Sequence, residues 1–314
     1  MLLFIKTVFY PFAFLILWIC SGIIISLVER FAKRLNLSSF AFSFFVLGIL
    51  TSIPEFSVGI NSILAKTPDV FVGNLVGASL MLFIFVIPVL AIFGKGAKMV
   101  HQLSENDMIF ALLVVAAPIF LIADNLLTRT ESVFLILIYG VLFYFIEKKK
   151  GLMTVIKDTS LIKEKTAFED WLELIVALVI TFFMSRFIVT TTVELADFLN
   201  ISAFMISIVF IPIGTNIPEL SLAIRSVLMG KKEVALGDYL GSAAANTLFF
   251  GIFTLLNGDR INVSNYSLRT LLITLLGLGV FYIFSRSKRE ISAKEGKILL
   301  LIYLLFVLTE ILFP

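Results

Sequence analysis

The chain has 314 residues, of which 60% are hydrophobic and 15% charged, with a net charge of +3. A soluble domain carries roughly 25% charged residues, so this composition excludes an ordinary soluble fold and points to a protein that lies largely in a bilayer. The single cysteine, Cys20, excludes an intramolecular disulfide, and the single histidine, His101, argues against a His-rich metal centre.

A spanning helix needs about 20 apolar residues. In chain order, such segments fall near 8–28, 39–64, 70–93, 107–123, 131–147, 169–189, 201–228, 233–256, 266–285 and 297–313. These runs are too long for barrel strands, so the expected fold is an all-α membrane protein with ten transmembrane helices, five per half. The first segment is short of basic residues for a signal peptide and no Ala-x-Ala site follows, so it reads as a retained span holding Cys20. The second carries Thr51-Ser52-Ile53-Pro54-Glu55, and the third opens with Gly73-Asn74-Leu75-Val76-Gly77-Ala78-Ser79. A Lys-rich connection at 148–168 is the longest polar stretch and divides the halves, residues 1–147 and 169–314. It reads as a cytoplasmic linker whose 152–162 stretch can form a short amphipathic surface helix. The seventh segment then carries Thr215-Asn216-Ile217-Pro218-Glu219, and the eighth Gly237-Asp238-Tyr239-Leu240-Gly241-Ser242-Ala243.

The same polar segment therefore occurs twice, at an offset of 164 (215 − 51) that stays gapless for more than thirty residues. Thr51, Pro54, Glu55, Ser57, Gly73, Gly77 and Phe85 meet identical residues at Thr215, Pro218, Glu219, Ser221, Gly237, Gly241 and Phe249. Five helices per half is an odd number, so two consecutive units sit in the membrane with opposite orientation, as inverted-topology repeats. All of the 25 basic residues but Lys6, Lys66, Arg129, Arg186, Arg260 and Arg269 lie in or beside loops that follow odd-numbered helices. The positive-inside bias puts those loops in the cytoplasm and both termini outside. Each basic cluster adjoins a span, so the partner it implies is the lipid bilayer and not nucleic acid.

A carboxylate inside a span is costly and marks a functional site by default. Pro54 and Pro218 cannot donate to the carbonyls of Leu50 and Gly214, and freed carbonyls in a membrane are tolerated where they line a cavity or bind an ion. Thr and Glu at i and i+4 share one helix face. Two copies facing each other would supply two carboxylates and several neutral oxygens, enough for calcium, which takes six to eight, or for sodium. The bland alternative is a pair of structural proline kinks. The GxxxG spacing that follows lets backbones approach closely and brings Ser79, Ser242 and Asn246 toward the breaks. Asn74 and Asp238 sit near the helix mouths, where capping and a role in ion access are equally open.

These motifs resemble the calcium/cation antiporter superfamily, in particular its sodium/calcium exchanger branch. The likeness is most specific at 48–85 and 212–249, which match that family's two alpha-repeats. The resemblance implies alternating access, in which sodium ions and one calcium ion compete for a central cluster, with no cofactor. It implies Glu55 and Glu219 as central cation ligands and Thr51 and Thr215 as carbonyl and hydroxyl donors. Ser52 matches the family serine of the first repeat, and Asn216 replaces that of the second. Ser242 is kept but becomes Ala78 in the first half, and Asn246 stands where many exchangers have aspartate, with Leu82 as its counterpart. Without an aspartate at 246 the cluster holds two formal negative charges, which suits two sodium ions per calcium and weak voltage dependence.

The leading expectation is a secondary transporter exchanging calcium or a related cation for sodium, multi-pass in the plasma membrane. A proton-coupled cation exchanger is the alternative, since buried glutamates can carry protons. More remote are an intramembrane two-carboxylate hydrolase using Asp238 and a homologue that binds an ion without moving it.

Overall fold

The computed structural model describes residues 2–34, 39–64, 66–94, 96–98, 105–150, 167–198, 208–209, 211–258, 260–263, 268–286 and 290–312, nearly all of them helical. The first half starts with α1 (Leu2–Arg34), then α2 (Ser39–Phe42), a π-helical turn (Ser43–Leu47), α3 (Gly48–Thr51) and α4 (Ile53–Leu64). It continues with α5 (Pro68–Met81), a second π-helical turn (Leu82–Val86), α6 (Ile87–Phe93), α7 (Glu105–Leu121) and α8 (Arg129–Lys150). The second half holds α9 (Ala167–Phe198), α10 (Ile211–Thr215), α11 (Ile217–Leu228), α12 (Lys232–Asn257), α13 (Leu268–Arg286) and α14 (Ala293–Leu312). His101 and the 152–162 stretch lie outside the described residues.

Among the described residues, six helices are long and apolar enough to cross a membrane, and the bent pair Ser43–Thr51 with Ile53–Leu64 makes a seventh if it is one span. That bend is 46°, and its cause is local. Pro54 sits in the first turn of α4 and Pro218 in that of α11, where a missing N–H is harmless to the helix ahead but cannot continue the one behind. The chain leaves helical geometry just before each, at Ser52 (φ −80°, ψ 13°) and at Asn216 (φ −85°, ψ 8°).

α5 and α12 form the centre. Residues 71–84 and 234–247 are buried on every side, as expected of helices without a polar face. Around them α7, α8, α13 and α14 close the main core. Outer faces carry exposed apolar side chains such as Leu137, Phe183, Ile283 and Leu304, a surface that suits lipid and not water. α1 lies antiparallel to α9, pinned at one end by Arg30 (3.1 Å) and Arg34 (2.7 Å) on Asp170 and at the other by Lys6 on Glu194. Cys20 is buried in α1 without a disulfide partner.

Two short antiparallel strand pairs tie the halves together. β1 (Ala97–Lys98) pairs with β4 (Glu290–Ile291), and β2 (Leu126–Leu127) pairs with β3 (Ile261–Asn262). β1 follows α6 and β3 follows α12, its repeat equivalent; β2 follows α7 and β4 follows α13. Exchanging the halves therefore turns one strand pair into the other.

One expectation is corrected here. α5 begins at Pro68 and α12 at Lys232, ahead of the glycine motifs. Asn74 and Asp238 are consequently well inside their helices, not at the mouths.

Candidate cation-binding site

Each helix break packs against the glycine-bearing helix of the other half, α3 and its π turn on α12, and α10 on α5. The approach is backbone on backbone. A Cβ at Gly241 would stand 2.2 Å from the Phe44 carbonyl oxygen, and one at Gly77 would stand 2.3 Å from that of Ile208. Phe44 and Ile208 are repeat equivalents, as are Gly77 and Gly241, so the same contact is made twice. No side chain larger than hydrogen fits either place.

This closeness brings the polar residues together. Ser52 Oγ donates to the Gly48 carbonyl (2.8 Å) and touches Ser242 Oγ, whose own hydroxyl donates to Glu219 Oε1 (3.0 Å). Thr51 Oγ1 lies 3.0 Å from the Leu47 carbonyl and 2.9 Å from Asp238 Oδ1. In the equivalent place of the other half, Thr215 Oγ1 donates to Asn74 Oδ1 at 3.5 Å, and the Thr215 side chain lies beside the Glu55 carboxylate. Asn216 Nδ2 turns back to the Pro212 carbonyl (2.9 Å). With Ala78 where the second half has Ser242, no hydroxyl chain forms on this side, so the two faces of the site differ as the sequence implies.

Glu55, Glu219 and Asp238 are each at most 1% exposed. Each keeps one carboxylate oxygen without a hydrogen-bond partner: Glu55 Oε2, Glu219 Oε2 and Asp238 Oδ2. Glu219 feels the charge of both other acids. Buried polar atoms are rarely left unpaired, and an unpaired buried carboxylate oxygen is available as a cation ligand. Among the described residues no three His, Cys, Asp or Glu side chains converge tightly enough to hold a metal ion by themselves. A bound cation must therefore draw on hydroxyl, amide and backbone oxygens as well, and the chain supplies them here.

The structure thus brings Thr51, Ser52, Glu55, Thr215, Asn216, Glu219 and Ser242 to one region. Asn246 and Ser79 form a pair of their own: Asn246 Nδ2 donates to Ser79 Oγ at 3.3 Å, and both line a cavity of about 10 Å³ with Pro118 and Thr247. Asn246 Oδ1 stays unpaired. The polar neighbour of Asn246 is thus Ser79, and not a counterpart at Ala78 or Leu82. Sequence reasoning named Asp238 and Asn74 but kept them outside the central cluster. Their signal was present, a polar residue at the same place in both repeats, but a list of identities passes over an Asn–Asp pair. Asp238 is a third acid in electrostatic contact with the two that the sequence placed in the cluster.

A second cavity, about 330 Å³, reaches this region from one side. It is lined by Pro54, Ser57, Asn61, Thr67, Arg186 and Thr215, among others, between α4, α5, α9 and α10. It has Pro54 of one break and Thr215 of the other in its wall.

The profile of the family described as "Sodium/calcium exchanger protein" matches residues 6–147 and again residues 170–312. The chain belongs to the sodium/calcium exchanger protein family. It is accordingly an integral, multi-pass membrane transporter of the cation-antiporter kind and not an enzyme, which removes the two-carboxylate hydrolase. Similar proteins include the inner membrane protein YrbG of Escherichia coli, 28% identical over 71% of each chain. Another is the putative antiporter CaxA of Alkalimonas amylolytica, 25% identical over 87% of this chain and 88% of that one. A solved structure of the sodium-calcium exchanger NCX_Mj soaked with 100 mM sodium and 10 mM strontium superposes with a TM-score of 0.79. It is 19% identical and covers 98% of this chain and 99% of that one. A second, soaked with 2.5 mM sodium and 0.1 mM calcium, gives the same score over 97% and 98%. At that identity the likeness establishes the shared exchanger fold.

Proposed function

We propose that this protein exchanges calcium, or a related divalent cation, for sodium by alternating access at one central site. The site is built by two inverted five-helix repeats, residues 1–147 and 169–314, joined by a cytoplasmic 148–168 linker, with ten spans in all and both termini outside the plasma membrane. The observation that carries this reading is the linkage of two Thr-x-x-Pro-Glu breaks, one from each half, through Ser52, Ser242 and Glu219, with an unpaired carboxylate oxygen on each glutamate. The exchange of the two strand pairs under the repeat, the antiparallel α1 and α9, and the family match in each half support the inverted arrangement. Glu55 and Glu219 neutralise the divalent ion, and Thr51, Thr215, Ser52, Asn216 and Ser242 complete its oxygen shell. Asn246, one turn beyond Ser242, and its α5 partner Ser79 offer further oxygens.

Sodium rather than the proton is the coupling ion in this reading because the centre is rich in neutral oxygens, which a hard cation needs and a proton does not. Purified protein in proteoliposomes, with sodium gradient, proton gradient and membrane potential imposed separately, tests it. An outward sodium gradient alone should drive calcium uptake. Uptake driven by a proton gradient and indifferent to sodium would establish the proton-coupled alternative instead.

A further inference from the structure

We infer that Arg225 is a stopper: lodged between α11 and α1, its side chain closes the route to the centre that the repeat relates to the open 330 Å³ cavity, and that route opens only when Arg225 withdraws; this rests on the exchange reading above. The repeat sets the comparison, and its offset of 164 carries into α1 and α9. Lys6 and Arg30 of α1 fall on Asp170 and Glu194 of α9, so the repeat turns the ion pair Lys6–Glu194 into the pair Arg30–Asp170. By the same offset Trp18, Gly22 and Arg225 are the equivalents of Phe182, Arg186 and Asn61.

Phe182, Arg186 and Asn61 line the open cavity, where Asn61 is exposed and Ser57, Val58 and Val70 are half-buried. On the opposite face the equivalent crevice is shut. Ser221, Leu222 and Val234, which the repeat relates to Ser57, Val58 and Val70, are all buried. Arg225 lies across this crevice. Its guanidinium carbon stands 5.4 Å from the centre of the Trp18 ring, and a Cβ on Gly22 would stand 2.9 Å from its Nε. The missing side chain at position 22 is what admits the arginine.

A guanidinium suits a removable stopper. Arg225 Nε is buried without a hydrogen-bond partner, and no carboxylate among the described residues pairs with the group. It is held by packing and by the Trp18 face, a contact of modest strength, so no fixed ion pair must break for it to leave. A positive charge lying in a cation route bars that route by charge as well as by volume. The open face carries its arginine on the opposite wall, Arg186 of α9 standing where α1 has Gly22, and Asn61 of α4 standing where α11 has Arg225. Arg186 lies in the other route, so the Arg225 route stays shut without it.

The experiment is thiol labelling of the full-length protein in detergent without calcium, in a Cys20→Ala background. One probe is Ser221→Cys, a turn from Arg225 on the same helix face; the other is its equivalent in the open cavity, Ser57→Cys. With Arg225 in place, Ser57→Cys should label readily and Ser221→Cys slowly. Labelling tracks the population of the state open on that face, and a minor state is commonly about 0.1–10% populated, so Arg225→Asn, which copies residue 61, should label Ser221→Cys at least about five-fold faster. Gly22→Ala, which crowds the arginine from the other wall, should do the same and carries the test if Arg225→Asn does not fold. Arg186→Asn should leave Ser221→Cys protected. Equal labelling of the two probes with Arg225 in place would overturn the inference, as would a folded Arg225→Asn or Gly22→Ala protein that leaves Ser221→Cys protected, or an equal gain from Arg186→Asn. The expected pattern in a protein that moves no calcium in proteoliposomes would instead sink the exchange reading and leave the stopper standing.

Discussion

At the residue scale, the strongest statement concerns three carboxyl oxygens with no partner in a buried place. A ligand present at a hundred times its dissociation constant stabilises its folded binder by about 2.7 kcal/mol. Calcium should therefore raise the thermal midpoint of the purified protein, and Glu55→Gln and Glu219→Gln should each abolish that rise. Neither substitution should lower the midpoint without calcium, because each removes a buried charge that costs free energy when uncompensated. A variant that still gains stability from calcium would exclude that residue as a ligand. Much of this was legible in the sequence, since Glu55 and Glu219 announce themselves by repeating with the same proline. Asp238 repeats only as a polar residue, opposite Asn74, and its contact with Thr51, 187 positions away, is one that no local pattern reports. Arg186, counted only as a basic residue outside the cytoplasmic loops, lines the cavity that leads to the site for the same non-local reason.

At the scale of elements, the glycines and prolines carry the design. The sequence pointed to a break at each proline and close packing at each GxxxG, and the structure shows that the two are one feature: a break of one half seated on the glycine helix of the other. The expected starts of α5 and α12 lie within two residues of the observed Pro68 and Lys232, but the sequence put Asn74 and Asp238 at the helix mouths, although each stands six positions inside its helix. Gly241→Val forces side-chain atoms against the Phe44 carbonyl, where even a Cβ would stand at 2.2 Å. Overpacking of this kind costs about 1–3 kcal/mol, so the thermal midpoint should fall and exchange should be lost. Gly140→Ala is the control. Nothing lies within 4 Å of a Cβ there, and Gly is about 1 kcal/mol worse than Ala inside a helix, so that variant should be as stable as wild type or more so. Equal effects from the two would show that the helix crossing is not tightly packed.

For the whole molecule, orientation and repeat stand together. If the odd loops are cytoplasmic, as proposed, the cavity at Ser57 and Asn61 faces the outside. In a Cys20→Ala background, Asn61→Cys should react with an impermeant thiol reagent applied to intact cells, and a cysteine at position 157 should not. The reverse pattern would invert the topology. The central claim is that the two breaks form one site through which calcium and sodium exchange. Radiocalcium uptake into proteoliposomes under an outward sodium gradient, with wild type, Glu55→Gln and Glu219→Gln side by side, tests it most directly. The account predicts sodium-driven uptake by wild type and background uptake by both variants. Equal uptake by wild type and a folded glutamine variant would contradict it.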